Sequence, residues 1–116
     1  MVRVRYLTGR RVPLAAISPL HPAMEFAVEQ AWIVYKHFLG RDPIVTGAQE
    51  DAHAGGSLHY GAFPDPRLRA LDFDDDGITS EGKADIGAEL KKRLGSQFDV
   101  IWESDHLHIE YDVRYF

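Results

Sequence analysis

Three histidines and one aspartate carry most of the chemistry legible in this sequence. His106 and His108 stand two apart in Asp105-His106-Leu107-His108-Ile109-Glu110-Tyr111, a segment that alternates polar and apolar residues. In an extended strand successive side chains point to opposite faces. Leu107, Ile109 and Tyr111 therefore form a core surface, and His106, His108 and Glu110 share the other face. At roughly 3.3 Å per residue, the two imidazoles and the carboxylate fall within about 7 Å of strand length. A solvent-facing strand can hold an isolated His-x-His pair with no function; what distinguishes this one is its company. His59 sits in Gly56-Ser57-Leu58-His59-Tyr60-Gly61, beside glycines that permit unusual backbone angles. Asp72 lies between Leu71 and Phe73 in an apolar strand, where a lone carboxylate is costly to bury unless it is paired or metal-bound. Two imidazoles and one carboxylate suffice as a zinc donor set and leave the fourth tetrahedral position to water.

These residues need a scaffold that brings distant segments together, and the patterning predicts one. Residues 2–7 alternate with period two and read as a short strand, with Arg3, Arg5, Arg10 and Arg11 on an exposed face. A helix is expected from Pro22 to Leu39, because proline suits a first helical position and Gly40 suits the left-handed residue that ends a helix. Phe26, Ala27, Ala31, Val34, Tyr35 and Phe38 recur at helical spacing as its core stripe. Residues 43–46 read as a short buried strand and 68–73 as another. Between them, residues 47–66 hold four glycines and two prolines, a long irregular connection of the kind that usually carries function. A second helix is expected after Thr79 or Ser80, buried through Ile86, Leu90 and Leu94 and ended by Gly95. Residues 98–102 and 106–112 complete a hairpin turning near Ser104. The expected fold is α+β, a small, mainly antiparallel sheet with two helices.

At 116 residues the chain is expected to form one domain, and its 45% hydrophobic and 27% charged residues suit a folded globule. No cysteine is present, which excludes thiolate zinc sites, cysteine nucleophiles and disulfides. A formal net charge of -5 argues against a broad grip on nucleic acid. No apolar run approaches the roughly 18 residues of a membrane span. The N-terminus lacks the features of a secretory signal, so the protein is expected to stay in the cytoplasm where it is made unless it is released or carried in a virion.

Ser57-Leu58-His59, Ala70-Leu71-Asp72 and Asp105-His106-Leu107-His108 together resemble the Ser-x-His, Ala-x-Asp and His-x-His motifs of the D-alanyl-D-alanine metallopeptidases. That family shares its fold with lysostaphin-type enzymes and the Hedgehog signalling domain. The chain is most similar to small phage-type members, with which Leu94 to Val100 and Glu103 to Asp112 also agree. The likeness spans residues 44–112. It implies a Hedgehog/DD-peptidase-like fold and a zinc ion held by His59, Asp72 and His108. It further implies Asp105 as the general base and His106 as the group that steadies the oxyanion. The implied reaction is hydrolysis of D-alanine-containing peptide bonds in bacterial peptidoglycan by a metal-activated water. Ser57 reads as a loop-ordering hydrogen bonder.

The chain also departs from that family. Asp72 follows His59 by thirteen residues, further than is usual, across an inserted segment at residues 62–67 that makes Asp65 a rival ligand. The substrate-binding arginine of many relatives has no clear counterpart near Gly47, where Gln49 or His53 stands instead. Strict alternation would set Asp105 on the face opposite His108, which keeps Glu103 open as the base. A zinc-stabilised binding or virion domain without catalysis is the alternative function. Among the other histidines, His21 suits a helix cap and His37 suits a helix C-terminus. Asp72 to Gly77 begins like an EF-hand calcium loop, but Lys83 stands where a bidentate glutamate belongs, and a solvated acidic turn is the simpler reading.

Overall fold

The computed structural model describes residues 2–5, 11–13, 20–47 and 68–112. Its strands are β1 (Arg3–Arg5), β2 (Arg11–Pro13), β3 (Ile44–Gly47), β4 (Ala70–Asp74), β5 (Phe98–Trp102) and β6 (His106–Tyr111). Its helices are α1 (Pro22–Leu39) and α2 (Ser80–Leu94). The strands form one sheet in the order β2-β1-β3-β4-β6-β5. Between the strands of the described residues the β1–β3 pairing is parallel and the others antiparallel, and the isolated bridge between Leu20 and Leu68 is parallel as well. The described residues form an α+β fold with two helices and a mainly antiparallel sheet, as expected. No helix among the described residues is long and apolar enough to cross a membrane.

Local chemistry explains where the helices begin and end. His21 precedes α1 and its Nδ1 accepts from the Ala23 N–H at 3.1 Å, the capping role expected of it. Gly40 ends α1 at φ 71°, a left-handed conformation that glycine adopts without a Cβ penalty. Thr79 caps α2, its Oγ1 accepting from the Gly82 N–H at 3.0 Å.

Two expectations about α1 need correction. Its buried positions are Met24, Ala27, Ala31, Val34 and Tyr35, whereas Phe26 and Phe38 are 44% and 40% exposed. At 3.6 residues per turn Phe26 points about 100° away from Ala27, off the stripe that Met24 joins instead. Phe38 keeps the right angle, but it stands in the last turn of the helix. Strand β2 was not expected, because three residues ending in a proline carry too little alternation to read as a strand.

The core joins both helices to one face of the sheet. Leu71 and Phe73 from β4 and Leu107 and Ile109 from β6 are fully buried with Tyr35, Ile86 and Leu90. Each such side chain contributes roughly 1.5–3 kcal/mol by leaving water. Antiparallel register sets Leu71 beside Ile109 and Phe73 beside Leu107. The alternate residues of β4, β6 and β5 must therefore share the other face, and these are the residues with chemistry.

Candidate functional site

The register makes three rows across that face. Asp72, His108 and Ile101 form one; Ala70, Glu110 and Asp99 form the next; Asp74 stands beside His106. The structure thus brings together Asp72 and His108, residues 36 positions apart that the sequence singled out separately. His108 Nδ1 lies 2.9 Å from Asp72 Oδ1, and His108 Nε2 lies 3.1 Å from Glu110 Oε1. The burial of Asp72 within an apolar strand is answered by this partner. The Asp72 carboxylate raises the His108 pKa from its ordinary range to about 9; burial opposes the shift and Glu110 adds to it.

His106 is the second imidazole of the face. Its Nε2 stands 3.7 Å from Asp72 Oδ2 and 3.7 Å from Glu103 Oε2, while its Nδ1 meets Asp105 Oδ1 at 2.6 Å. Asp105 therefore does not turn away from the histidine face, as strict alternation would require. It lies in the two-residue turn closed by the Glu103 N–H to His106 carbonyl bond, outside either strand, where alternation no longer applies. Its side chain is 81% exposed. Glu103 and Asp105 thus approach His106 at different ring nitrogens.

His59, the third implied ligand, lies outside the described residues, as do Ser57, Asp65, Gln49 and His53. The donors that are described suit zinc in kind, one imidazole nitrogen and one carboxylate oxygen. Two donors on one tetrahedral zinc, at bond lengths of about 2.0–2.1 Å, lie roughly 3.3 Å apart. The 2.9 Å between His108 Nδ1 and Asp72 Oδ1 is a few tenths shorter, so a metal would replace the shared proton with a small opening of the pair.

Among the described residues, the three-residue group whose ligand atoms all lie within 4.8 Å of one another is a different one: Asp99, Glu110 and Asp112. It is an all-oxygen set beside His108, linked to it through Glu110. Burial first, then Asp112, pushes the Asp99 carboxyl up. Sequence reasoning gave no role to Glu110, although its place two residues beyond His108 had already put it on the histidine face. Asp99 could be found only once the β5–β6 register was known.

The acidic run after Asp72 is a structural turn. Asp74 is fully buried and bonded to Arg41 and the Ile44 N–H, Asp75 pairs with Lys83, and Asp76 pairs with Arg5. These partners occupy the carboxylates that a calcium loop would need.

No family model matches the chain, and no curated protein or solved structure matches it. The likeness to metallopeptidases thus stands on its motifs.

Proposed function

We propose that this chain is a zinc-dependent peptidase that hydrolyses D-alanine-containing peptide bonds of bacterial peptidoglycan. The observation that carries the reading is the direct pairing of Asp72 with His108 across two strands, with His106 and two further carboxylates beside them. Asp72 and His108 would hold the ion together with His59. Zinc bound there would lower the pKa of a coordinated water to about 7 and so supply a nucleophile at neutral pH.

The chain's own groups do the rest. Asp105, exposed at the turn, takes the proton from the attacking water and passes it to the leaving amine. Glu103 stands at the other nitrogen of the same imidazole and is the fallback for that task. His106 donates Nδ1–H to Asp105 and directs Nε2 toward the ligand Asp72; with both ring nitrogens protonated, Nε2–H would meet the oxygen that gains charge as the carbonyl is attacked. The substrate class, a peptide of the cell wall, comes from the motif likeness alone.

Purified protein with zinc should release new amino termini from peptidoglycan, and Asp105→Ala should lower the rate by 10²-fold or more, the scale of general-base catalysis. Activity that survives Asp105→Ala and disappears in Glu103→Ala would move the base to Glu103. If wild type and both variants are equally inert while zinc binds tightly, the peptidase reading fails.

The second reading, a zinc-stabilised binding or virion domain without catalysis, is favoured by one feature. Both nitrogens of His108 are engaged by carboxylates, and its side chain is only 14% exposed, as in a site built for stability. The geometry of the loaded site separates the two: water in the fourth zinc position indicates catalysis, and a fourth protein ligand indicates structure.

A further inference from the structure

A histidine offers a metal one ring nitrogen, and the partner of the other nitrogen decides which. At His108 the two nitrogens face different carboxylates. Nδ1 is 2.9 Å from Asp72 Oδ1, and Nε2 is 3.1 Å from Glu110 Oε1. Alternation along β6 makes Glu110 the next residue on the same face, close enough for its side chain to fold back onto the ring. Its other close neighbours, Asp99 and Asp112, are carboxylates as well, which repel it when ionised and so drive it toward the imidazole.

We infer that Glu110 is the positioning residue of the metal ligand His108. It accepts the hydrogen bond from Nε2–H, fixes the ring plane, and leaves Nδ1 turned toward Asp72. A divalent ion would then be held by His108 through Nδ1 and by Asp72, with Nε2–H still donated to Glu110. This inference rests on the zinc reading of Asp72 and His108 and adds the group that selects the nitrogen.

The test measures zinc affinity by chelator competition for wild type, Glu110→Gln, Glu110→Ala and His108→Ala, without recourse to activity. Glu110→Ala should bind zinc 10- to 100-fold more weakly, the usual loss when the partner of a ligating histidine is removed. Glu110→Gln keeps both the shape and an oxygen acceptor and should stay within about threefold of wild type, so the tautomer seen in the ring nitrogen spectra separates positioning from packing. Ring nitrogen spectra of the zinc-loaded protein should show His108 bound through Nδ1 and protonated at Nε2, with the two tautomers mixed in Glu110→Ala. If Glu110→Ala binds zinc like wild type while His108→Ala does not, the positioning role is wrong and the zinc site stands. If His108→Ala binds zinc like wild type, the ligand assignment fails and takes this inference with it. Should metal-free Glu110→Ala lose its cooperative melting, the wild-type spectra decide: zinc on Nε2 would overturn the assignment.

Discussion

His108 is held between two carboxylates, and this has a consequence for stability that can be measured without metal. A group whose folded pKa is raised contributes stability that is fully present below its unfolded pKa and lost as pH rises through the folded value. For His108 the two values are about 6.5 and about 9. The metal-free protein should therefore lose stability between pH 6.5 and 9, as the imidazolium gives up the proton that holds it to Asp72 and Glu110. Denaturant titrations in chelator across that range should show a falling midpoint, and His108→Gln should flatten the profile. An unchanged wild-type midpoint from pH 6 to 9.5 would mean that His108 is not bound as an imidazolium. In zinc the order reverses, because zinc competes with that proton for Nδ1 and binds more tightly as pH rises.

At the scale of elements, one buried carboxylate at the end of β4 joins the neighbouring elements to the sheet. Asp74 accepts from the Ile44 N–H at 2.8 Å, from Arg41 Nη2 at 2.7 Å and from the Asp76 N–H at 2.9 Å. The Tyr35 hydroxyl donates to its carbonyl at 2.7 Å. These bonds join the end of α1, the start of β3 and the turn before α2 to β4, the strand that carries Asp72. Loss of the Asp74 carboxylate leaves the Ile44 and Asp76 N–H groups without this acceptor, while Arg41 is 32% exposed and keeps backbone acceptors, so Asp74→Ala should cost about 2–3 kcal/mol, a large share of a domain's stability. Asp74→Asn, which keeps one acceptor, should cost less. A shift in midpoint worth under 1 kcal/mol for Asp74→Ala would show that the joint is not what holds these elements to the sheet. Much of this scaffold was legible in advance. Pro22 and Gly40 bounded α1, Thr79 and Gly95 bounded α2, and alternation gave β6 its two faces. Strand order was not legible, because the rows across β4, β6 and β5 depend on pairings between distant segments that no local pattern encodes. The site followed the same division. Residue types and motif order nominated Asp72, His106 and His108, while the contacts of Glu110, Asp99 and Asp105 required the register and the turn.

For the whole molecule, a metal that joins His108 on β6 to Asp72 on β4 ties together strands in the middle of the sheet and should stabilise the entire fold. A ligand that binds only the folded state at a hundred times its Kd adds about 2.7 kcal/mol. For a chain of 116 residues, at roughly 4 °C per kcal/mol, that raises Tm on the order of 10 °C. Melting curves in chelator, zinc and calcium should show the rise with zinc alone, and His108→Ala should abolish it. The Asp99, Glu110 and Asp112 carboxylates supply the competing outcome, since an all-oxygen set prefers calcium to zinc. A calcium-dependent rise that Asp99→Asn removes and His108→Ala leaves intact would relocate the metal one row along the sheet and end the peptidase reading. A zinc rise that survives Asp99→Asn and disappears in Asp72→Ala would instead tie the stabilising ion to Asp72 in the row that also holds His108.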